Sequence, residues 1–156
     1  MKLDDIEKFL RGKFPEAPFQ VDETRRSGVR WSITIPVSGL PDAAKAFDDE
    51  KFFLDTVTAL DFQDTLELVY HFNCYEPDSR VALRVLVGHD QSAPSIVEIF
   101  RGAGWLEREV HDFFGIEFSG NPDLRPLLLP EDADYHPLRK TFGKTGTYLK
   151  REEIYG

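Results

Sequence analysis

Apolar and polar residues follow regular patterns along most of the chain. Residues 1–14 carry apolar side chains at helical spacing, which predicts an amphipathic helix. Apolar and polar residues then alternate over 29–37, after a shorter run at 19–21, so both segments are predicted as strands joined by a glycine-containing turn. The clearest alternation lies in Leu66–Phe72 and Val81–Val87, whose connection contains a Pro-Asp pair, and we predict a hairpin there.

Two other segments show helical spacing instead. A cluster of helix-breaking residues at 39–42 precedes Asp48–Leu60, which we predict as a helix capped by its first acidic residues. Residues 94–114 also have helical spacing, interrupted by two glycines, and Gly115 is suited to end that helix in the left-handed conformation. This order of elements predicts an α+β domain over residues 1–118, in which a small mixed or antiparallel sheet packs against helices.

The pattern changes after residue 118. Residues 119–156 contain four prolines and four glycines, and no long helical or alternating stretch remains. Apolar residues are still scattered through this segment, from Leu124 to Tyr148, so a purely solvated linker is not indicated. We predict an extended, irregular C-terminal arm for partner docking, with 119–130 packed on the domain and the remainder reaching outward.

Composition narrows the classes of function. The net charge of −9 disfavours binding to nucleic acid or anionic lipid, although residues 136–156 carry five Lys/Arg against two Asp/Glu. The single cysteine, Cys74, cannot close an intramolecular disulfide or supply the ligands of an iron–sulfur cluster. The sequence also lacks a nucleotide-binding glycine loop and an apolar run of about 20 residues. We therefore expect no cofactor, and membrane association only through a partner.

Charged residues concentrate in three places after residue 100. In the first, Glu107 and His111 are four residues apart, as are Arg108 and Asp112, so each pair is predicted to share a helix face. We favour the interpretation that these residues form ion pairs on the helix surface and contact a neighbouring protein. The alternative is a stand-alone metal-dependent enzyme that uses Glu107, His111 and Asp112, although the spacing lacks the HExxH pattern.

The two other clusters have similar alternatives. Acidic residues between Asp123 and Asp134 are the ligand type for calcium or magnesium, but they lack the order of ligands of an EF-hand. We therefore favour a role for these acidic residues in salt bridges and turns. His136–Lys140 combines a histidine, a proline and two cations without a phosphate-binding loop, and a protein contact is favoured.

The same region contains four motifs in a fixed order. They are Glu107-Arg108-Glu109 followed after two residues by Asp112-Phe113-Phe114-Gly115-Ile116, then Pro122-Asp123-Leu124-Arg125, Leu128-Leu129-Pro130-Glu131-Asp132 and His136-Pro137-Leu138-Arg139-Lys140. Together they resemble the signature of the thirty-kilodalton subunit family of respiratory complex I. The chain departs from the family pattern at Asn121, where histidine is usual, and at 133–135, where a tryptophan-containing stretch is usual.

The resemblance implies a non-catalytic, cofactor-free peripheral-arm subunit of a membrane-associated NADH–quinone oxidoreductase, supporting assembly and electron transfer to quinone. Its expected partners are the large hydrogenase-like subunit, which carries the quinone site, and the iron–sulfur subunits. Its expected location is the cytoplasmic face of the inner membrane. The alternative is the equivalent subunit of a membrane-bound nickel–iron hydrogenase or a deazaflavin-coenzyme dehydrogenase. The residues expected at the partner interface are Glu107, Arg108, Glu109, Asp112, Phe113, Asp123, Arg125, His136, Pro137, Leu138, Arg139 and Lys140.

Overall fold

A computed structural model describes residues 2–24, 26–88, 92–142 and 150–155. The helices in these ranges are α1 (Lys2–Lys13), α2 (Leu40–Asp49), α3 (Ala103–Phe114) and α4 (Arg151–Tyr155), and a short 3₁₀ turn, Val37–Gly39, precedes α2. The strands are β1 (Phe19–Val21), β2 (Trp31–Pro36), β3 (Phe53–Asp61), β4 (Leu66–Asn73), β5 (Val81–Val87), β6 (Ser92–Pro94) and β7 (Glu117–Ser119). None of these helices is both long and apolar enough to cross a bilayer.

Five strands form one mixed sheet in the order β1-β2-β5-β4-β3. The predicted hairpin is confirmed, because β4 and β5 pair antiparallel with Tyr70 opposite Leu83. β2 and β5 are parallel, since the chain passes through α2, β3 and β4 before it returns beside β2. β6 and β7 form a separate two-stranded parallel sheet. The predicted α+β fold with a mixed sheet is confirmed.

One face of the sheet and helices α1, α2 and α3 enclose a continuous core. Alternate residues of the central strands, such as Ile33, Leu68 and Leu83, are fully buried there. Phe47 of α2 stacks on Phe72 of β4, with ring centroids 4.1 Å apart. α3 adds Ala103, Val110 and Phe114 to this core, and these buried contacts fix its position on the sheet.

The opposite face of the sheet is partly covered by α4. Glu67 on this face is fully buried and pairs with Arg84, at 2.6 Å, and with Arg151 of α4. The Tyr155 ring lies against both guanidinium groups, 4.8 Å from that of Arg84 and 5.0 Å from that of Arg151. The sequence pattern predicted no helix here, because five residues are too few to show periodicity.

The helix predicted at Asp48–Leu60 is wrong. The helix lies earlier, at Leu40–Asp49, and Phe53–Asp61 is a strand. Pro41 lies in the first turn of α2, where its fixed φ suits a helix, so the residues interpreted as breakers begin the helix instead. The chain then turns at Lys51, which has a φ of 64°. The three consecutive β-branched residues beyond it, Thr56, Val57 and Thr58, favour a strand.

The helix predicted over 94–114 begins only at Ala103. The chain before it forms β6 and then a turn in which Phe100 donates its backbone N–H to Ile96 O at 2.8 Å. Gly102 is the N-cap, so the glycines mark the start of the helix rather than a break within it. The prediction for Gly115 is confirmed, because it ends α3 with a φ of 77°.

Residues 120–142 contain no helix or strand and lie along α3 and β3. The prediction that the chain reaches outward beyond Pro130 is wrong for the described residues up to Phe142. Residues 136–140 hydrogen-bond to the end of α3 and to Asp61 of β3, because the last carbonyls of a helix need donors from outside it. Residues 143–149, including the predicted apolar residue Tyr148, lie outside the described ranges.

Candidate interface site around helix α3

The C-terminal end of α3 is completed by residues 136–139. His136 donates from Nδ1 to Asp112 O at 3.0 Å, and Leu138 donates its backbone N–H to Phe113 O at 3.0 Å. Arg139 donates from Nη1 to Phe114 O at 3.2 Å. Three carbonyls that a helix end would otherwise leave without partners are therefore satisfied by side chains and backbone from the irregular segment.

Gly115 makes this close approach possible. Its φ of 77° lies in the left-handed region, which residues with a Cβ adopt at a cost of about 1–2 kcal/mol. A Cβ at this position would also lie 2.7 Å from Cδ2 of the His136 ring. Glycine is thus required both to end the helix and to admit the histidine ring.

The Asp112 carboxylate holds the middle of the irregular segment. Its Oδ2 accepts the backbone N–H groups of Leu127, Leu128 and Leu129 at 2.8, 2.8 and 3.2 Å. Burial by itself would raise the pKa of Asp112, but these three hydrogen bonds, with a smaller contribution from His111, hold that pKa below its ordinary value. Asp112 is therefore a charged acceptor for backbone donors that have no helix or strand partner.

Arg108 binds backbone carbonyl groups of the same irregular segment. It donates from Nε to Arg125 O and from Nη2 to Pro126 O, the latter at 2.7 Å. It also lies 3.6 Å from Asp123, which forms a two-point pair with Arg125 at 2.9 Å for each contact. Arg108 and Asp112, which are four residues apart on α3, thus bind successive backbone carbonyl and N–H groups of the irregular segment.

Glu107 joins three parts of the chain inside the protein. Its side chain is fully buried and accepts hydrogen bonds from Ser95 Oγ, from Ile96 N–H at 2.9 Å and from Asn121 Nδ2 at 3.0 Å. Burial raises the pKa of Glu107 above its ordinary value, although these three donors act in the opposite direction. The carboxylate fixes the turn after β6 and the start of the irregular segment against α3.

A further contact joins the segment to the sheet. The Asp61 carboxylate at the end of β3 is buried, and it accepts from Arg139 Nε at 3.2 Å and from the Lys140 backbone N–H at 2.8 Å. Asp61 lies nearly 80 residues away in sequence, so sequence spacing could not identify it as a partner.

Comparison with known proteins identifies the family of this chain. Residues 33–148 match the family model described as the respiratory-chain NADH dehydrogenase, 30 Kd subunit. The chain belongs to this family. It is 42% identical over 106 residues to the C subunit of NADH-quinone oxidoreductase from Rhodopseudomonas palustris (strain TIE-1), which covers 64% of this chain and 52% of the relative. It is 38% identical over 131 residues to the same protein of Rhodobacter capsulatus, covering 79% of this chain and 66% of the relative. The chain thus spans about half to two thirds of the length of these relatives.

Two solved structures share the fold. One is from the membrane-bound sulfane sulfur reductase, an archaeal respiratory membrane complex, with a TM-score of 0.75, 27% identity and coverage of 92% of this chain and 86% of that one. The other is the trypsin-resistant fragment of Nqo5, residues 1–134, with a TM-score of 0.67 and 25% identity. It covers 80% of this chain, and all of the fragment is matched.

The family motifs act largely inside this chain. The predicted surface ion pairs Glu107–His111 and Arg108–Asp112 are wrong, because Glu107 and Asp112 are buried and Arg108 turns toward the loop. His111 instead lies with Nδ1 2.9 Å from Ile116 O. Across the described parts of the chain, no three His, Cys, Asp or Glu residues are grouped as a metal site would need.

The predicted interface set included Leu138 but omitted three other exposed apolar residues of this region, which are Trp105, Leu128 and Phe142. Trp105 of α3 is 65% exposed, and Leu128, Leu138 and Phe142 are 62%, 52% and 45% exposed. Among the predicted interface residues, Arg125, Leu138 and Lys140 are exposed, and the remainder are buried or half-buried. The available signal for Trp105 was its position on an amphipathic helix between Arg101, which precedes the helix, and Arg108.

Proposed function

We propose that this chain is a non-catalytic peripheral-arm subunit of a membrane-associated NADH–quinone oxidoreductase. Membership of the 30 Kd subunit family and about 40% identity to relatives from NADH-quinone oxidoreductases support the proposal. The observation that carries it furthest is the irregular segment 120–142, which is held on α3 and β3 by charged side chains while it presents apolar side chains to solvent.

This arrangement has the properties of a docking surface. Exposed apolar residues are common singly, but here Leu128, Tyr135, Leu138 and Phe142 follow one another along a single segment. Tyr135 and Phe142 stack with ring centroids 5.7 Å apart, so this part of the surface has a defined shape. Because the backbone is already fixed, binding a partner there costs less ordering entropy than binding a free arm would.

The partner proposed for this surface is the large hydrogenase-like subunit, with the iron–sulfur subunits of the same complex nearby. In this proposal the domain 1–118 is the scaffold and 119–156 is the docking segment. Arg125, Leu138 and Lys140 contact the partner directly. The buried Glu107 and Asp112 shape the surface, as do the half-buried members of the predicted set, which are Arg108, Glu109, Phe113, Asp123, His136, Pro137 and Arg139. The complex holds the chain at the cytoplasmic face of the membrane, and the redox groups belong to other subunits.

Co-purification from native membranes tests the proposal, with the partners identified by mass. Leu138→Ser and Phe142→Ser should lower the amount of chain recovered in the complex, because each removes an exposed apolar contact. Phe9→Ser is the matched control, since Phe9 on α1 is 44% exposed, nearly the same as Phe142. Equal recovery of all three variants would contradict the docking surface. Stoichiometric flavin, metal or iron–sulfur absorption in the purified chain would contradict the absence of a redox centre.

A second candidate is the equivalent subunit of a related complex, such as a membrane-bound nickel–iron hydrogenase or a deazaflavin-coenzyme dehydrogenase. The match to a protein of the archaeal sulfane sulfur reductase supports this candidate, because that protein belongs to a respiratory membrane complex of a different kind. The same purification separates the candidates: NADH-binding flavoprotein subunits among the partners indicate the first, and nickel-binding subunits indicate the second.

A further inference from the structure

We infer that the surface around Trp105 binds a segment of a partner subunit that supplies one apolar side chain next to one carboxylate. The inference rests on the proposed function and names a second contact, on the N-terminal half of α3. Trp105 lies beside a cleft of about 170 Å³ whose other lining residues include Val97, Arg101 and Pro122. The indole is 65% exposed, which is unusual for a side chain of this size and apolar character. Tryptophan is among the residues that contribute most to binding energy at protein interfaces.

The indole is held in place before any partner binds. The Arg108 guanidinium lies 5.6 Å from the centroid of the Trp105 ring. Arg108 is itself fixed by the carbonyls of Arg125 and Pro126 and is only 16% exposed. A large aromatic side chain supported in this way loses little further freedom on binding, which is typical of residues that dominate the affinity of an interface.

Charge identifies the kind of partner. Arg101 and Arg108 line the cleft together with Asp123. Asp123 is already occupied, because it forms the two-point pair with Arg125 and lies 3.6 Å from Arg108. Arg101 is exposed, and the ion pairs found in the described ranges do not include it. Glu109, the acidic residue one turn beyond Trp105 on α3, does not line the cleft. The unpaired guanidinium of Arg101 thus lies beside the exposed indole of Trp105, although the net charge of the chain is −9. A partner carboxylate is the group that would pair with this guanidinium.

A cross-link in the assembled complex tests the occupant directly. Trp105→p-benzoylphenylalanine places a photoreactive aromatic group at the cleft, and irradiation of the purified complex should join it to another subunit. We expect the cross-linked peptide to contain Asp or Glu within a few residues of the attachment point. A peptide without an acidic residue there, or no cross-link in a fully assembled complex, overturns the inference.

Recovery of substituted chains in the complex gives a second readout. Trp105→Ala and Arg101→Glu should each lower recovery roughly tenfold, as expected for residues that dominate an interface. Tyr75→Ala is the control, because Tyr75 is 97% exposed but lies far along the chain in the β4–β5 connection. Thermal unfolding of the isolated variants should match that of the unsubstituted chain, since neither side chain is buried.

The two proposals fail in different ways. If the chain co-purifies with a respiratory complex and both variants are recovered normally, only the present inference is overturned. If the chain co-purifies with no such complex, both proposals are overturned. If Tyr75→Ala is lost as completely as Trp105→Ala, the effect is not specific to the cleft and the inference is overturned.

Discussion

The substitution Asp112→Asn tests how the irregular segment is held. Asn has nearly the same shape as Asp, so the packing around α3 is retained while the charge is removed. Three backbone N–H groups converge on Asp112 Oδ2 within 3.2 Å. In wild type these are charge-assisted bonds, and in the variant the same donors would meet a neutral amide oxygen.

The magnitude follows from the strengths of the two kinds of bond. Hydrogen bonds to charged groups contribute about 1.5–3 kcal/mol and neutral ones about 0.5–1.5 kcal/mol, so each bond should lose about 1 kcal/mol. Because the three donors share one oxygen, their losses are not additive, and we expect a total loss of about 2–3 kcal/mol. For a chain of this size, that corresponds to a decrease in Tm of about 4–12 °C if the loss is global.

Hydrogen exchange at Leu127, Leu128 and Leu129 is the direct assay. If the segment detaches locally, protection of these amides should fall by roughly 30- to 150-fold, because about 1.4 kcal/mol corresponds to a factor of ten. The pKa of Asp112 is lowered in the folded protein, so its stabilising effect is complete above the unfolded pKa. The effect is lost as the pH falls through the folded pKa, so wild type and variant should converge at acidic pH below about 4.

Glu109→Gln is the matched control, because Glu109 is a half-buried acid on the same helix, three residues from Asp112. It should change stability by less than about 0.5 kcal/mol. If Asp112→Asn leaves the protection of the three amides unchanged, the carboxylate does not hold the segment and the reasoning is refuted.

Three further substitutions examine other contacts of the fold. Burial raises the pKa of Glu107, so the stability of wild type relative to Glu107→Gln should be greater near pH 4.5 than at pH 7. Denaturant unfolding at the two pH values measures this difference, and a difference that does not depend on pH would contradict the prediction. Gly115→Ala should cost about 2–4 kcal/mol in urea unfolding, and a His136→Ala background should recover the steric part of that cost but not the backbone part. Arg151→Ala removes one partner of Glu67 and should abolish amide protection in α4, because a five-residue helix is not stable alone; persistent protection would show that the ion pair is dispensable.

The periodicity of apolar residues was sufficient to predict an element when the residues that contact one another in it are also close in sequence. The β4–β5 hairpin and α1 were predicted correctly, because alternation and helical periodicity each report on a single element. α2 was misplaced because Pro41 belongs equally well to a turn and to the first turn of a helix. α4 escaped prediction because five residues are too few to establish a helical period.

The contacts of the candidate site could not be predicted in the same way. Asp112 binds amides fifteen to seventeen residues further on, and Asp61 binds residues 78 and 79 positions away. Nothing in the spacing of charges distinguishes these contacts from ion pairs on a helix surface. The sequence did indicate that Arg108 and Asp112 act together, since they lie four residues apart on one helix, but it assigned them to each other rather than to the backbone.

The prolines explain why charged residues are needed here. Each proline in 120–142 removes a backbone donor and prevents a helix or a strand from forming, so the remaining N–H and C=O groups of the segment need partners from elsewhere. α3 provides them in pairs, with Asp112 accepting from amides and Arg108 donating to carbonyls. The charges are therefore used within the chain, while four apolar side chains of the segment, Leu128, Tyr135, Leu138 and Phe142, remain exposed. Within the proposed function, losing either charge would reduce assembly by deforming the surface, whereas losing Leu138 would reduce assembly with the surface intact.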